Sequence, residues 1–271
     1  MSTLARSAVA ALTLASAFTV FAGDDACPSD SPWYTAKGIV NAASNLNETL
    51  APMTWVSLYG CNLSYETGGR SGWSSEPNLG SVGVIVNNQS ALISYVSPAQ
   101  VNFLMPGTLT AKQVTIYLQR DSDYGPTLTI PIDTTSPELF LANSTTVVAA
   151  HENWSLVGDP ATKDDTASPA KPGEILILYA TGLGQFKNRV DPLEAPPWTA
   201  NPIVLRTEFK VLLNGTAVED RLVEYVGAAP GFVGVYQLNL RLPASVAKDP
   251  AIQIAIGERV SMAGIHLRVE P

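Results

Sequence analysis

The sequence predicts an all-β chain: two tandem β-sandwich domains related by internal duplication. Three observations lead there. Charged residues are only 15% of the 271, while Gly and Pro number 20 each. Long amphipathic helices need more Glu, Lys and Arg on their wet faces, whereas short strands joined by turns have this composition. Apolar residues alternate with polar ones in several short runs, the period of a half-buried strand. Finally, an unusual phrase occurs twice, QVNFLMP at 100–106 and QLNLRLP at 237–243.

The chain opens on a basic Arg6 followed by the apolar, small-residue run SAVAALTLASAFTVF. Residues 1–22 read as a secretory signal peptide and 23–32 as a leader. No later stretch is apolar enough for a membrane span, so none is expected after signal cleavage, and the location is read as periplasm, cell surface or medium. Export makes Cys27 and Cys61 an expected disulfide, joining the leader to the first domain. The net charge is −8 with no Lys/Arg cluster, which disfavours nucleic acid as a partner because phosphates need a basic patch.

The first domain is expected over 33–137 and the second over 138–271. Aligning on the repeated phrase pairs PMTWVSLY (52–59) with PGEILILY (172–179), and VGVIVNNQSALISYV (82–96) with FKVLLNGTAVEDRLVEYV (209–226). The same order then pairs VTIYL (114–118) with IQIAI (252–256) and LTIPI (128–132) with IHLRV (265–269). Asn87-Asn88, Asn214-Gly215, the stretch 123–125 and Gly257-Glu258 supply turns, the Asn-containing pairs because they tolerate positive φ. Residues 136–157 are expected to hold two short strands, and 158–173, rich in Pro, Asp, Ser and Thr, reads as an exposed loop.

The phrases GIVNAAS (38–44), YVSPAQVNFLMP, SPELF, LYATGLG and YVGAAPGFVGVYQLNLRLP resemble a family of secreted acidobacterial proteins, an uncharacterised paralogous C-terminal domain. The layout of each half, with Pro-x₅-Leu-Tyr-Gly-x-Asn-Leu in the first, is similar to IPT/TIG immunoglobulin-like domains. The resemblance covers about 38–271. It implies export, two immunoglobulin-like sandwiches and a unit placed behind other extracellular modules; this chain is expected to be that unit alone. It implies no activity and no catalytic residue.

The chemistry-bearing residues are few. A hydrolase needs a nucleophile, a base and an orienting acid, yet the only histidines are His151 and His266, both read as surface residues, and no Gly-x-Ser-x-Gly occurs. No cofactor and no metal are expected. The acidic pairs Asp121/Asp123, Asp164/Asp165 and Glu219/Asp220 sit in turn-like surroundings. The glycines of ATGLGQ and GAAPGFVG lack phosphate-loop spacing and are read as turn and bulge residues. Trp73, Trp154 and Trp198 lie in polar or Pro-rich segments, where an indole can stack on a sugar or pack at a domain interface. Gln100 and Asn102, like Gln237 and Asn239, share the polar face of their strand. Their side chains are expected to bond to backbone in an adjoining loop or at the domain interface.

The functional expectation is a secreted, non-catalytic immunoglobulin-like module for extracellular binding, adhesion or surface assembly, its partner an extracellular protein or a glycan. Alternatives are a carbohydrate-binding module using the loop tryptophans and a secreted hydrolase.

Overall fold

The computed structural model describes residues 27–28, 30–159 and 167–271. The residues read as a signal peptide, 1–22, lie outside the described residues, as do 23–26 and 29 of the leader.

The first half contains β1 (Trp33–Asn41), β2 (Trp55–Cys61), β3 (Gly68–Gly69), β4 (Val82–Val86), β5 (Gln89–Val96), β6 (Gln100–Leu104), β7 (Gln113–Arg120), β8 (Asp123–Tyr124) and β9 (Leu128–Pro131). One layer runs β1-β2-β6-β5; the other is β4 and β7, extended by β8 and β9. β5 serves both, pairing its start with β4 and its end with β6. This is the A-B-E-D and C-F-G order of an immunoglobulin sandwich. Alternation along the strands fills its core: Val56 and Leu58 meet Val101, Phe103 and Ile116 inside.

The second half contains β10 (Glu138–Leu139), β11 (Ala149–His151), β12 (Ile175–Thr181), β13 (Phe209–Leu213), β14 (Thr216–Ala217), β15 (Val223–Ala228), β16 (Tyr236–Arg241), β17 (Ile252–Ile256) and β18 (Arg259–Val260). One layer runs β10-β12-β16-β15 and the other β14-β13-β17-β18, the pairing order of the first half. The registers correspond as well. Tyr59 faces Gln100 and Tyr179 faces Gln237. A register shift precedes the pair Tyr95–Asn102 in one half and Tyr225–Asn239 in the other.

Turn chemistry accounts for the hairpins. Asn87 and Asn88 have φ of 46° and 63°, and Asn214 and Gly215 have 49° and 77°, the positive values that a two-residue hairpin loop requires. Between β7 and β8 the positive φ falls on Asp121, ahead of the expected 123–125. Two other expectations are corrected. The run 265–269 forms isolated bridges to 146, 170 and 251, not a continuous strand. The segment 158–173 is not all exposed: Ala167 and Ala170 are buried, because Val157 and Ala170 bridge to Ser168 and Val269.

The Cys27–Cys61 disulfide ties the leader to the end of β2. Buried Arg120 reinforces it, donating to the carbonyls of Asn62 at 2.6 Å and Asp30 at 2.8 Å and to Asp123 at 3.0 Å, with its guanidinium over the Tyr65 ring.

Candidate functional site

The two sandwiches do not hang on a linker. The outward face of β2 and β6 turns Trp55 and Leu104 into the second hydrophobic core, where Ala42, Ala43, Met53 and Leu92 join them. The Trp55 backbone N–H donates to Thr181 Oγ1 at 2.9 Å, and its indole Nε1 donates to the Val233 carbonyl at 3.0 Å. Thr181 in turn donates to the Gly234 carbonyl at 3.3 Å. Two glycines permit this approach. A Cβ on Gly182 would lie 1.9 Å from the Ser136 carbonyl oxygen, and one on Gly234 would lie 2.3 Å from Leu104 Cδ1; both residues have positive φ. Asn41 closes the joint by donating to Ser136 O and Oγ at 3.3 Å. Every phrase that stood out in the sequence supplies a part: GIVNAAS gives Asn41, YVSPAQVNFLMP gives Leu104, SPELF gives Ser136, LYATGLG gives Thr181 and Gly182, and YVGAAPGFVGVYQLNLRLP gives Val233 and Gly234.

Glu138, 3% exposed, lies beside this joint. The Met262 N–H donates to both of its carboxyl oxygens, at 3.0 and 3.1 Å. Burial pushes its carboxyl up to about 8, against the pull of that N–H and with added repulsion from Glu48.

A groove of about 250 Å³ opens where the halves meet, lined by 89–92, Leu104 and 106–108 from the first half and 189–193 from the second. Its floor is apolar, with Leu92, Leu104 and Val190; its polar groups include Gln89, Ser90, Thr108, Arg189 and Asp191. Thr108 Oγ1 donates to Gln89 Oε1 at 2.6 Å, and Gln185 Nε2 donates across the joint to the Gly107 carbonyl at 2.6 Å. Arg189 and Asp191 stand 3.8 Å apart.

Trp73 stands at the edge of this groove. Its loop, 70–78, is laced from within: Arg70 donates to Ile93 O and Glu76 O at 2.6 Å and also to Asn78 O. The Trp73 Nε1 donates to the carbonyl of groove-lining Pro192 at 2.9 Å. The indole's one polar atom is thus held by the opposite half, and the ring remains 43% exposed. Arg70 and residues 189–193 carried no motif, so nothing in the sequence pointed to their meeting here.

The other tryptophans differ. Trp198 is 65% exposed, in the same second-half connection; its neighbour Pro197 accepts the Gly231 N–H at 2.6 Å. Trp154 occupies a tight turn with φ of 69° and packs on the second core. None of the three tryptophans is among the residues that line the groove; Trp73 is bonded to one that is, Pro192.

Within the polar strand faces, neighbouring side chains bond one another. Gln100 donates from Nε2 to Asn102 Oδ1 at 2.8 Å, and Gln237 donates to Asn239 Oδ1 at 2.8 Å. Residues i and i+2 share one strand face, which brings each Gln amide onto its Asn carbonyl oxygen. Ser57 Oγ adds a bond to Asn102 Oδ1 at 3.0 Å. In the first half this face is buried, and beside it Tyr59 donates to Asn45 Oδ1 at 2.9 Å.

His151 is buried, not a surface residue, at 8% exposure. Its Nδ1 lies 2.5 Å from Glu174 Oε1, and its Nε2 lies 3.1 Å from both the carbonyl and the hydroxyl oxygen of Ser168. The residue types are those of a nucleophile, a base and an orienting acid, but the arrangement argues against that use. A carbonyl oxygen facing Nε2 calls for a donor there, whereas a general base needs a lone pair. Pro169 follows Ser168 and has no N–H to offer a tetrahedral oxyanion. The set instead fastens 167–174 to β11, with Glu174 Oε2 accepting the Lys171 N–H at 2.9 Å. His266 is exposed and meets the Asp249 carbonyl at 3.0 Å. Asp121 and Asp123 flank the β7–β8 hairpin, and Glu219 and Asp220 bond Arg221 and Arg206; Asp164 and Asp165 lie outside the described residues.

No protein-family model and no curated protein sequence matches the chain. Solved structures similar to it include a surface glycan-binding protein of Prevotella bryantii at 11% identity and TM-score 0.27, covering 79% of this chain and 36% of that one. Another is the mixed-linkage glucan surface glycan-binding protein of Bacteroides ovatus at 9% identity and TM-score 0.36, covering 89% and 47%. A third is the I9–I11 tandem of titin at 10% identity and TM-score 0.24, covering 88% and 65%. The chain spans less than half the length of either glycan-binding protein.

Proposed function

We propose that the chain is a non-catalytic extracytoplasmic binding module whose ligand surface is the groove between its two sandwiches. The observation that carries this is Trp73: a first-half indole held by a second-half carbonyl at the rim of a groove that both halves build. A site assembled from two rigid bodies locked by a buried joint is preorganised, so little ordering cost falls on the ligand. The disulfide fits an oxidising compartment, and among the described residues no helix is long and apolar enough to cross a membrane. The resemblance to the secreted acidobacterial family supports the same placement.

The test is a binding screen of the full-length chain, immobilised and exposed to soluble polysaccharides and extracellular proteins, beside Ser90→Trp. Ser90 is exposed and lines the groove, so an indole there fills it without entering a core. At least one ligand is expected to bind and to be lost in Ser90→Trp. Ligands that bind both proteins equally would place the surface elsewhere.

A further inference from the structure

We propose that the groove takes a neutral carbohydrate chain, with a sugar ring stacked on Trp73 and hydroxyls shared between Arg189 and Asp191; this rests on the reading of the groove as the ligand surface. Three features converge on that class. The first is the state of the indole. Its N–H is already used by Pro192, so the accessible part of Trp73 is carbon surface, suited to stacking against the C–H face of a pyranose. Its loop is held by the Arg70 bonds, so the ring is a fixed platform.

The second feature is the charge pattern. Arg189 and Asp191 lie 3.8 Å apart on the same groove wall. A guanidinium only donates and a carboxylate only accepts. Neighbouring hydroxyls can satisfy both at once, because each hydroxyl donates and accepts. A polyanion would meet Asp191 on a chain of net charge −8, and a cation would meet Arg189. A purely apolar segment would strip water from this ion pair, whose Asp191 Oδ1 already accepts the Leu193 N–H at 3.0 Å, and offer its remaining polar sites nothing in return, at a desolvation cost.

The third is shape and the remaining polar groups. The Gln89 carbonyl oxygen is taken by Thr108, which leaves its amide N–H groups to point at acceptors. The apolar floor and about 250 Å³ are small beside the roughly 300–1,000 Å³ of drug-sized pockets. Such a groove holds a ring or two of a chain that continues past its open ends.

The experiment is titration calorimetry of the full-length chain with neutral hexasaccharides of the cello-, xylo-, manno- and malto- series. Polygalacturonate and heparin form the anionic arm. Variants are Trp73→Ala, Trp73→Phe, Asp191→Asn and Arg189→Gln, with exposed Trp198→Ala as control and unchanged melting temperatures as the check on folding. At least one neutral series is expected to bind, independently of salt. Trp73→Ala and Asp191→Asn should each weaken it about tenfold or more, and Trp73→Phe should lose less. Absence of neutral-glycan binding, binding indifferent to Trp73→Ala, or binding confined to polyanions that fades with salt would overturn the proposal. If a polyanion or a protein binds instead and Ser90→Trp blocks it, the sugar assignment fails while the groove remains the ligand surface. If Ser90→Trp blocks nothing, both fail.

Discussion

The Trp55 indole donates to the Val233 carbonyl at 3.0 Å, across 178 residues of chain. That bond, with Trp55 N–H on Thr181, makes the second sandwich's core include a residue of the first. Removing the indole leaves a cavity and an unpartnered carbonyl in the joint. Trp55→Ala is expected to cost about 3–5 kcal/mol. Scanning calorimetry is expected to show one transition for the parent chain and two for the variant, as the halves uncouple.

Gly234→Ala tests the same joint without removing anything. The added methyl would fall 2.3 Å from Leu104 Cδ1 and 2.9 Å from Trp55 Nε1, at a φ of 67°. Overpacking of this kind costs about 1–3 kcal/mol, and the left-handed backbone adds to it. Gly215→Ala is the control. It shares a positive φ but has open space around the added atom, so a smaller loss of melting temperature is expected there.

Glu138 predicts a pH dependence. Burial raises its carboxyl from 4.5 to about 8. The folded chain therefore holds a proton that the unfolded chain releases between those values. The resulting stability is fully present below about 4.5 and is lost as pH rises through about 8. Glu138→Gln removes the titration. Denaturant midpoints for this variant should vary less from pH 4.5 to 8 and exceed the parent's above pH 8.

The sandwich class was legible in the sequence because it depends on period-two alternation and on turn residues with positive φ. Asn87-Asn88 and Asn214-Gly215 show this directly. The joint was visible only as unusual phrasing. Nothing local to Gly182 or Gly234 says which distant atom would occupy the place of a side chain. The polar faces were legible only in part, for a related reason. Gln100 and Asn102 share a face by their spacing, but that they bond each other depends on rotamers. The 135-odd residues between Gln100 and Gln237 leave the two pairs chemically alike.

His151, Glu174 and Ser168 form a clamp in this account. A fluorophosphonate probe is expected not to label Ser168, and Ser168→Ala should leave stability nearly unchanged. Glu174→Ala exposes a buried imidazole to an unfilled site and is expected to lower stability by about 1–3 kcal/mol. Stoichiometric labelling at Ser168, read by peptide mass spectrometry, would restore the hydrolase reading.

The disulfide and Arg120 hold the leader to β2. Cys61→Ser is expected to lower stability by about 3–4 kcal/mol in the chain-entropy view, and reductant should reproduce the effect in the parent but not in the variant.

The most direct test of the groove as a preorganised site at a rigid joint is fluorine NMR of the chain labelled with 5-fluorotryptophan, titrated with the neutral oligosaccharides. The five tryptophans are assigned by single Trp→Phe substitution. The Trp73 resonance is expected to shift with saturation while those of Trp55 and Trp154 stay in place. No shift at Trp73, or a shift at Trp55 showing that the joint itself rearranges, would contradict the account.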